Sequence, residues 1–94
     1  MKISFDPAKR QLTLATRGLD MADAALVFAG PRLTVDDDRQ DYGERRQITI
    51  GLLDGRMVLI AWTDRADTRQ VISMRKANDR KIIKYGPIFA NRGG

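Results

Sequence analysis

The chain has 94 residues, with no cysteine and no histidine, 17 Lys and Arg against 12 Asp and Glu, and a formal net charge of +5. That length supports one domain, 1–94, with a modest core. The missing residue types exclude a disulfide framework, a cysteine nucleophile and a zinc site of the usual kind, so acid–base chemistry near neutral pH must use Asp, Glu, Lys, Arg or Tyr.

In chain order, Asp6-Pro7 reads as a helix cap with proline in the first turn, predicting a helix over 9–16 that Gly18 ends in a left-handed turn. Asp20 then caps a second helix, with Asp23 as a capping-box-like acid, and Gly30-Pro31 stops it. From there the apolar period changes to two. Strands are expected over 32–35, 46–54, 56–63 and 68–75, with a polar connection over 36–45, an Asp54-Gly55 hairpin and a turn over 64–67. Trp62 lies in the most apolar strand and reads as core. A last helix is expected over 76–85, stopped by Gly86-Pro87, with 86–94 as a tail in which Ile88 and Phe89 pack on something. The fold class is therefore α+β: two N-terminal helices, a four-stranded antiparallel sheet and a C-terminal helix.

Charge is unevenly spread. Residues 1–64 carry nine Lys and Arg against ten Asp and Glu, and residues 65–94 carry eight against two. The C-terminal third is thus the expected surface for an anionic partner. The longest apolar run, 57–62, is six residues, too short to span a bilayer, and the start of the chain shows no signal-peptide pattern. A cytoplasmic location without a membrane partner is expected.

Three groups of residues are candidates for chemistry. Simple alternation puts Arg69, Val71, Ser73 and Arg75 on one strand face, leading into a basic helix with Arg80, Lys81 and Lys84. Arginine's fork suits phosphate, while the plainer reading pairs these arginines with Asp54 or Asp64. The second group is "DDDRQDYGERR" (36–46). Its acids are hard ligands of the kind magnesium takes, but the spacing matches no calcium loop, and no metal is expected. Glu44 and Arg46 there are an acid–base or phosphate-positioning pair. In the third, Lys9 and Arg17 flank one groove or line an exposed amphipathic helix.

The same residues resemble the BrnT family, the toxin half of BrnT/BrnA toxin–antitoxin modules, from Phe5 to Tyr85. The family's opening aromatic-Asp-x-x-Lys is Phe5-Asp6-Pro7-Ala8-Lys9. Its middle motif Asp-Arg-x-x-Tyr-Gly-Glu-x-Arg stands whole from Asp38 to Arg46, and its late motif is Ile72-Ser73-Met74-Arg75-Lys76-Ala77. The resemblance implies a RelE-like fold and a metal-independent ribonuclease that stops translation and needs no cofactor. It also implies a BrnA-like ribbon-helix-helix antitoxin, which takes the complex to operator DNA. On it, Arg75, Glu44, Arg46, Lys9 and Tyr42 are the expected catalytic residues, and Arg17, Arg39, Arg69, Arg80, Lys81 and Lys84 the expected RNA contacts. Glu44 would be the base and Lys9 or Tyr42 the acid. The chain departs from the family where Thr16-Arg17 replaces Lys-His, Thr13 replaces Asn and Lys81 replaces Glu. Arginine stabilises charge but is a poor general base. The alternative is a toxin homologue with weakened catalysis, acting mainly in antitoxin binding and promoter autoregulation.

Overall fold

The computed structural model describes residues 2–90. Its elements are β1 (Lys2–Ser4), α1 (Pro7–Arg17), a single 3-10 turn (Met21–Asp23) running into α2 (Ala24–Ala29), β2 (Arg32–Asp36), β3 (Gln47–Leu53), β4 (Arg56–Arg65), β5 (Thr68–Lys76) and α3 (Asp79–Ala90). The α+β class holds, and the arrangement is consistent with the RelE/BrnT fold. The sheet, however, has five strands in the order β1-β5-β4-β3-β2, not four. The extra strand, β1, pairs parallel with the start of β5. Three residues are too few to show a period, which is why β1 escapes a pattern-based reading.

The N-terminal caps form as their residues require. The Asp6 carboxylate accepts the Ala8 N–H at 2.9 Å, and Gly18, at φ 68°, donates its N–H to Leu14 O at 3.0 Å. Asp20 accepts the Ala22 N–H at 2.9 Å and also receives both Arg10 Nε and Nη2, at 2.8 and 2.9 Å. One carboxylate therefore caps the 3-10 turn and ties it to α1.

β4 is the centre of the molecule. Val58, Ile60 and Trp62 face Leu19, Met21, Ala24, Val27 and Phe28 from the α1–α2 segment. Leu59 and Met57, with Ile50, face the other way, toward Tyr85 and Phe89 of α3. Helices thus cover both faces of the sheet. A polar thread runs through the first layer: the Trp62 indole N–H donates to Thr49 Oγ1 at 2.8 Å, and the Thr49 and Thr34 hydroxyls lie 2.8 Å apart. Gly51 lets α2 come down on β3, since a Cβ there would lie 2.5 Å from Val27 Cγ1.

Two expectations at the C-terminal end are corrected. β5 runs to Lys76, paired opposite Val58. Helix α3 then starts at Asp79, where the Asn78 side chain accepts the Lys81 N–H at 2.9 Å. The helix also continues through Gly86-Pro87 to Ala90, so 86–90 are not tail. Gly86 does not take the left-handed conformation that would end it. Proline removes only its own bond to the carbonyl four residues back, and Tyr85 and Phe89, one turn apart, hold both sides of it against Leu59 and Met57. Residues 91–94 lie outside the described residues.

The third correction concerns β5. Ala61 pairs with Ser73 but Trp62 with Val71, so Ile72 is an extra residue. The bulge resets the alternation. Arg69 and Val71 stand on the Trp62 face, and Ser73 and Arg75 on the Leu59 face, not together. Among the described residues no helix is long and apolar enough to cross a membrane.

Two measurements check this packing. Thr49→Val, isosteric but without the acceptor, strands the buried indole N–H and should cost about 1–3 kcal/mol in denaturant unfolding. Gly51→Ala, overpacking Val27, should cost about 1–3 kcal/mol as well. A third concerns pH. The Arg10 hydrogen bond, and after it the Ala22 N–H, hold the Asp20 carboxyl at about 2, below its ordinary 3.8. A folded-state value so lowered stabilises the fold above the ordinary value, and that contribution is lost as pH falls through the lowered one. Asp20→Asn should therefore flatten the acid-unfolding profile between pH 3.8 and about 2; an unchanged profile in that window contradicts the coupling.

Candidate active site

The connection from β2 to β3 is polar throughout, yet it is firmly built. Asp37 is the one buried acid among the described residues. Arg39 grips it with two donors, Nε to Oδ1 at 2.7 Å and Nη2 to Oδ2 at 2.8 Å, and the Tyr42 hydroxyl donates to Oδ2 at a longer 3.4 Å. The Arg39 bond lowers the Asp37 pKa against the opposing effect of burial, with further help from the Arg39 N–H and Tyr42. The carboxylate is therefore ionised near neutral pH. Two bonds to main-chain carbonyls finish the frame: Asp37 N–H to Arg46 O at 2.9 Å, and the buried Thr63 hydroxyl to Arg45 O at 2.7 Å.

On this frame sits a second set of groups. The Arg46 guanidinium lies over the Tyr42 ring, 4.0 Å from its centroid. Its Nε is 3.6 Å from Glu44 Oε1, and Arg65 Nη2, arriving from the end of β4, is 3.2 Å from Glu44 Oε2. Tyr42, Arg46, Glu44 and Arg65 are thus one contiguous chain of contacts. The Arg46 Nε is buried and has no hydrogen-bond partner among the described residues. Four of the five acids from Asp36 to Glu44 are taken up, and Asp38 alone has no partner among the described residues. Asp36 pairs with Arg45, Asp37 with Arg39 and Glu44 with Arg46 and Arg65, while Asp41 accepts the Gly43 N–H in a turn. No three of them converge as ligands among the described residues.

Arg65 is the member that sequence reasoning missed. The stretch 64–67 reads as a turn, but β4 continues to Arg65, opposite Thr68. The available signal was the alternation that puts Arg65 beside Thr63.

The other expected residues lie elsewhere. Lys9 and Arg17 line a groove of about 270 Å³ with Leu12, Thr16 and Ser73. Arg17 Nη1 donates to Met74 O at 2.9 Å, so its charge is seated at the β5 backbone. Arg75 is exposed and stands opposite Leu59, whereas Glu44 meets Arg65, six positions further along β4. At strand rise that is about 20 Å. One phosphate cannot bridge Arg75 and Glu44. Arg80, Lys81 and Lys84 belong to α3, where the Lys81 and Lys84 ammonium groups lie 5.9 and 5.3 Å from the Tyr85 ring centroid. With Arg75 they form a basic face in which no acid pairs with them among the described residues. Arg69 pairs with neither Asp54 nor Asp64. Its guanidinium rests on Phe28 and Trp62, 4.4 and 4.9 Å from their centroids.

The structure thus places Tyr42, Glu44 and Arg46 in a carboxylate–guanidinium–phenol cluster at one end of the sheet and Arg75, Arg80, Lys81 and Lys84 on a basic face toward the other, with Lys9, Arg17 and Arg69 in neither. A comparison with individually curated proteins gives no match. Residues 5–81 match the family model described as "Ribonuclease toxin, BrnT, of type II toxin-antitoxin system". The match takes in β1's follow-on Phe5, the whole 36–46 loop and all of β5, and ends three residues into α3. Spanning most of the sequence, it establishes that the chain belongs to the BrnT toxins of type II toxin–antitoxin systems.

Proposed function

We propose that this chain cleaves RNA at the Glu44 cluster without a metal, that cleavage inhibits translation, and that a BrnA-like ribbon-helix-helix antitoxin neutralises it and carries the complex to operator DNA. The observation that supports cleavage most is Glu44 held between Arg46 and Arg65 beside Tyr42, with a buried Arg46 Nε that has no hydrogen-bond partner. Phosphodiester cleavage by an internal hydroxyl needs a base, charge stabilisation at phosphorus and an acid. Glu44 takes the proton of the 2′-hydroxyl as its oxygen bonds to phosphorus. Arg46 and Arg65 exchange their carboxylate contacts for the phosphoryl oxygens and stabilise the added negative charge. The long Tyr42–Asp37 bond opens as Tyr42 gives its proton to the departing 5′-oxygen, leaving a 2′,3′-cyclic phosphate and a 5′-hydroxyl. Arg39 and Asp37 hold Tyr42 in place.

Arg75 takes a different part in this account from the catalytic one expected of it. With Arg80, Lys81 and Lys84 it attracts and holds the strand, an electrostatic role that falls with salt. Lys9 and Arg17, in their own groove against β5, add a separate cationic surface. A second reading has one observation in its favour. Both oxygens of Glu44 are engaged by guanidinium groups, and these contacts must open before either oxygen can reach a substrate hydroxyl. On that reading the chain binds RNA and antitoxin but cuts slowly, and serves mainly in complex formation and promoter control.

Incubating the purified protein with RNA in EDTA separates the readings. Cleavage should persist in EDTA. Glu44→Gln and Arg46→Ala should each lower kcat about 100-fold or more. Arg75→Ala should raise KM severalfold and leave kcat nearly unchanged, the mark of lost uniform binding. Loss of kcat in Arg75→Ala equal to that in Glu44→Gln contradicts the placement of the site, and RNA binding without cleavage in the unmodified protein favours the second reading.

A further inference from the structure

Arg69 is an anomaly that RNA cleavage does not use. Its Nε is buried and has no hydrogen-bond partner, and no ion pair reaches the guanidinium among the described residues. Asp64 stands directly opposite it in the β4–β5 register and still does not pair with it. Arg46 also has a lone buried Nε, but a carboxylate lies 3.6 Å away. Arg69 has only the faces of Phe28 and Trp62, themselves packed edge to face with centroids 5.6 Å apart. Aromatic faces hold a cation in place but satisfy none of its donors. A buried cationic donor with nothing to donate to calls for an explanation.

The guanidinium borders a cavity of about 290 Å³, lined also by Ile3, Ala25, Phe28, Ala29 and Arg32. Two arginines and no acid line it. The walls are otherwise apolar, and Leu26, on the neighbouring surface of α2, is 62% exposed. We infer that this cavity is a socket for one carboxylate, carried on an acidic side chain with apolar neighbours in a protein partner. Arginine's planar fork receives a carboxylate with two parallel bonds. The Ile3, Ala25 and Ala29 walls and Leu26 take the apolar flanks, and the rings that pin Arg69 reduce the ordering needed on binding.

RNA is the poorer occupant. The socket is on the α2 side of the sheet, whereas Arg75 and α3 are on the other. Its two rings, at 8% and 5% exposure, are not open as stacking platforms for bases. The inference is independent of RNA cleavage: a protein that fails to cut RNA can still fill this socket.

The test follows the Arg69 Nε–H and Trp62 indole N–H resonances of the whole protein by NMR. The probes are N-acetyl-Leu-Glu-Leu-amide, its Gln counterpart, and a short 2′-O-methyl RNA that cannot be cleaved. The Glu peptide should shift both resonances saturably and bind at least tenfold more tightly than the Gln peptide. Arg69→Leu, which keeps apolar packing on the rings, should abolish the response. Arg32→Ala, at an exposed position outside the aromatic stack, should weaken it severalfold with the fold intact. The RNA should shift α3 resonances and leave Arg69 unmoved. Equal binding of the two peptides, no saturable response to the Glu peptide, or an RNA-driven shift at Arg69 would each overturn the inference. So would shifts at Arg69 that depend on protein concentration alone, which would make a second copy of the chain the occupant.

Discussion

The candidate active site depends on one buried charge. The Asp37 carboxylate is 1% exposed, and the two hydrogen bonds it accepts from Arg39 lower its pKa against the opposing effect of burial. Tyr42 turns its hydroxyl toward that acid at a long 3.4 Å, and its ring carries the Arg46 guanidinium. Glu44 and Arg65 then close the chain of contacts. Ten residues without regular structure between β2 and β3 would ordinarily be mobile. Here the Asp37–Arg46 bond closes the two ends of the loop on each other, and the Thr63 hydroxyl ties Arg45 to β4. Positioning by a rigid frame is what acid–base and electrostatic catalysis require, since neither tolerates loose geometry.

The sheet sets the distance between chemistry and attraction. β4 carries Leu59 near one end and Arg65 at the other, and each has its own neighbours: Arg75 opposite the first, Glu44 at the second. The cationic side chains of α3 lie on the Leu59 side of the sheet, held there by Tyr85 and Phe89. On the proposed function, a strand of RNA held at that face would still have to reach the loop to meet a carboxylate. On the same proposal, the Thr16-Arg17 and Lys81 departures from the family pattern would alter RNA affinity without touching the Glu44 cluster. The single bulged residue, Ile72, is what assigns Arg69 to the other side.

Much of this was readable in the sequence where a residue type is tied to one local conformation. Asp6-Pro7, Gly18 and Asp20 cap helices because their side chains and backbone freedom permit little else. Asp54-Gly55 turns the hairpin with both residues at positive φ, as its pairing predicts. What stayed hidden depends on contacts far along the chain. β1 gains its pairing only from β5. The helix through Gly86-Pro87 persists because Tyr85 and Phe89 find an apolar floor on β3 and β4, a tertiary effect that outweighs a local stop signal. The bulge at Ile72 has no signature in composition, so alternation grouped Arg69 with Arg75 wrongly. For the site, the Tyr42-Gly43-Glu44-Arg45-Arg46 run was visible as a motif, but its link to Arg65 and the distance to Arg75 required the register.

The central claim is that the scissile phosphate sits at Glu44 and not on the basic face. The most direct measurement is a structure of the protein bound to an RNA whose 2′-hydroxyls are methylated so that it cannot be cleaved. The account predicts a phosphate between Arg46 and Arg65, with their contacts to Glu44 opened, the Arg46 Nε donating to it, and the upstream strand running toward Arg75 and α3. A phosphate seated instead between Arg17 and Arg75, with the Glu44 ion pairs intact, would contradict it.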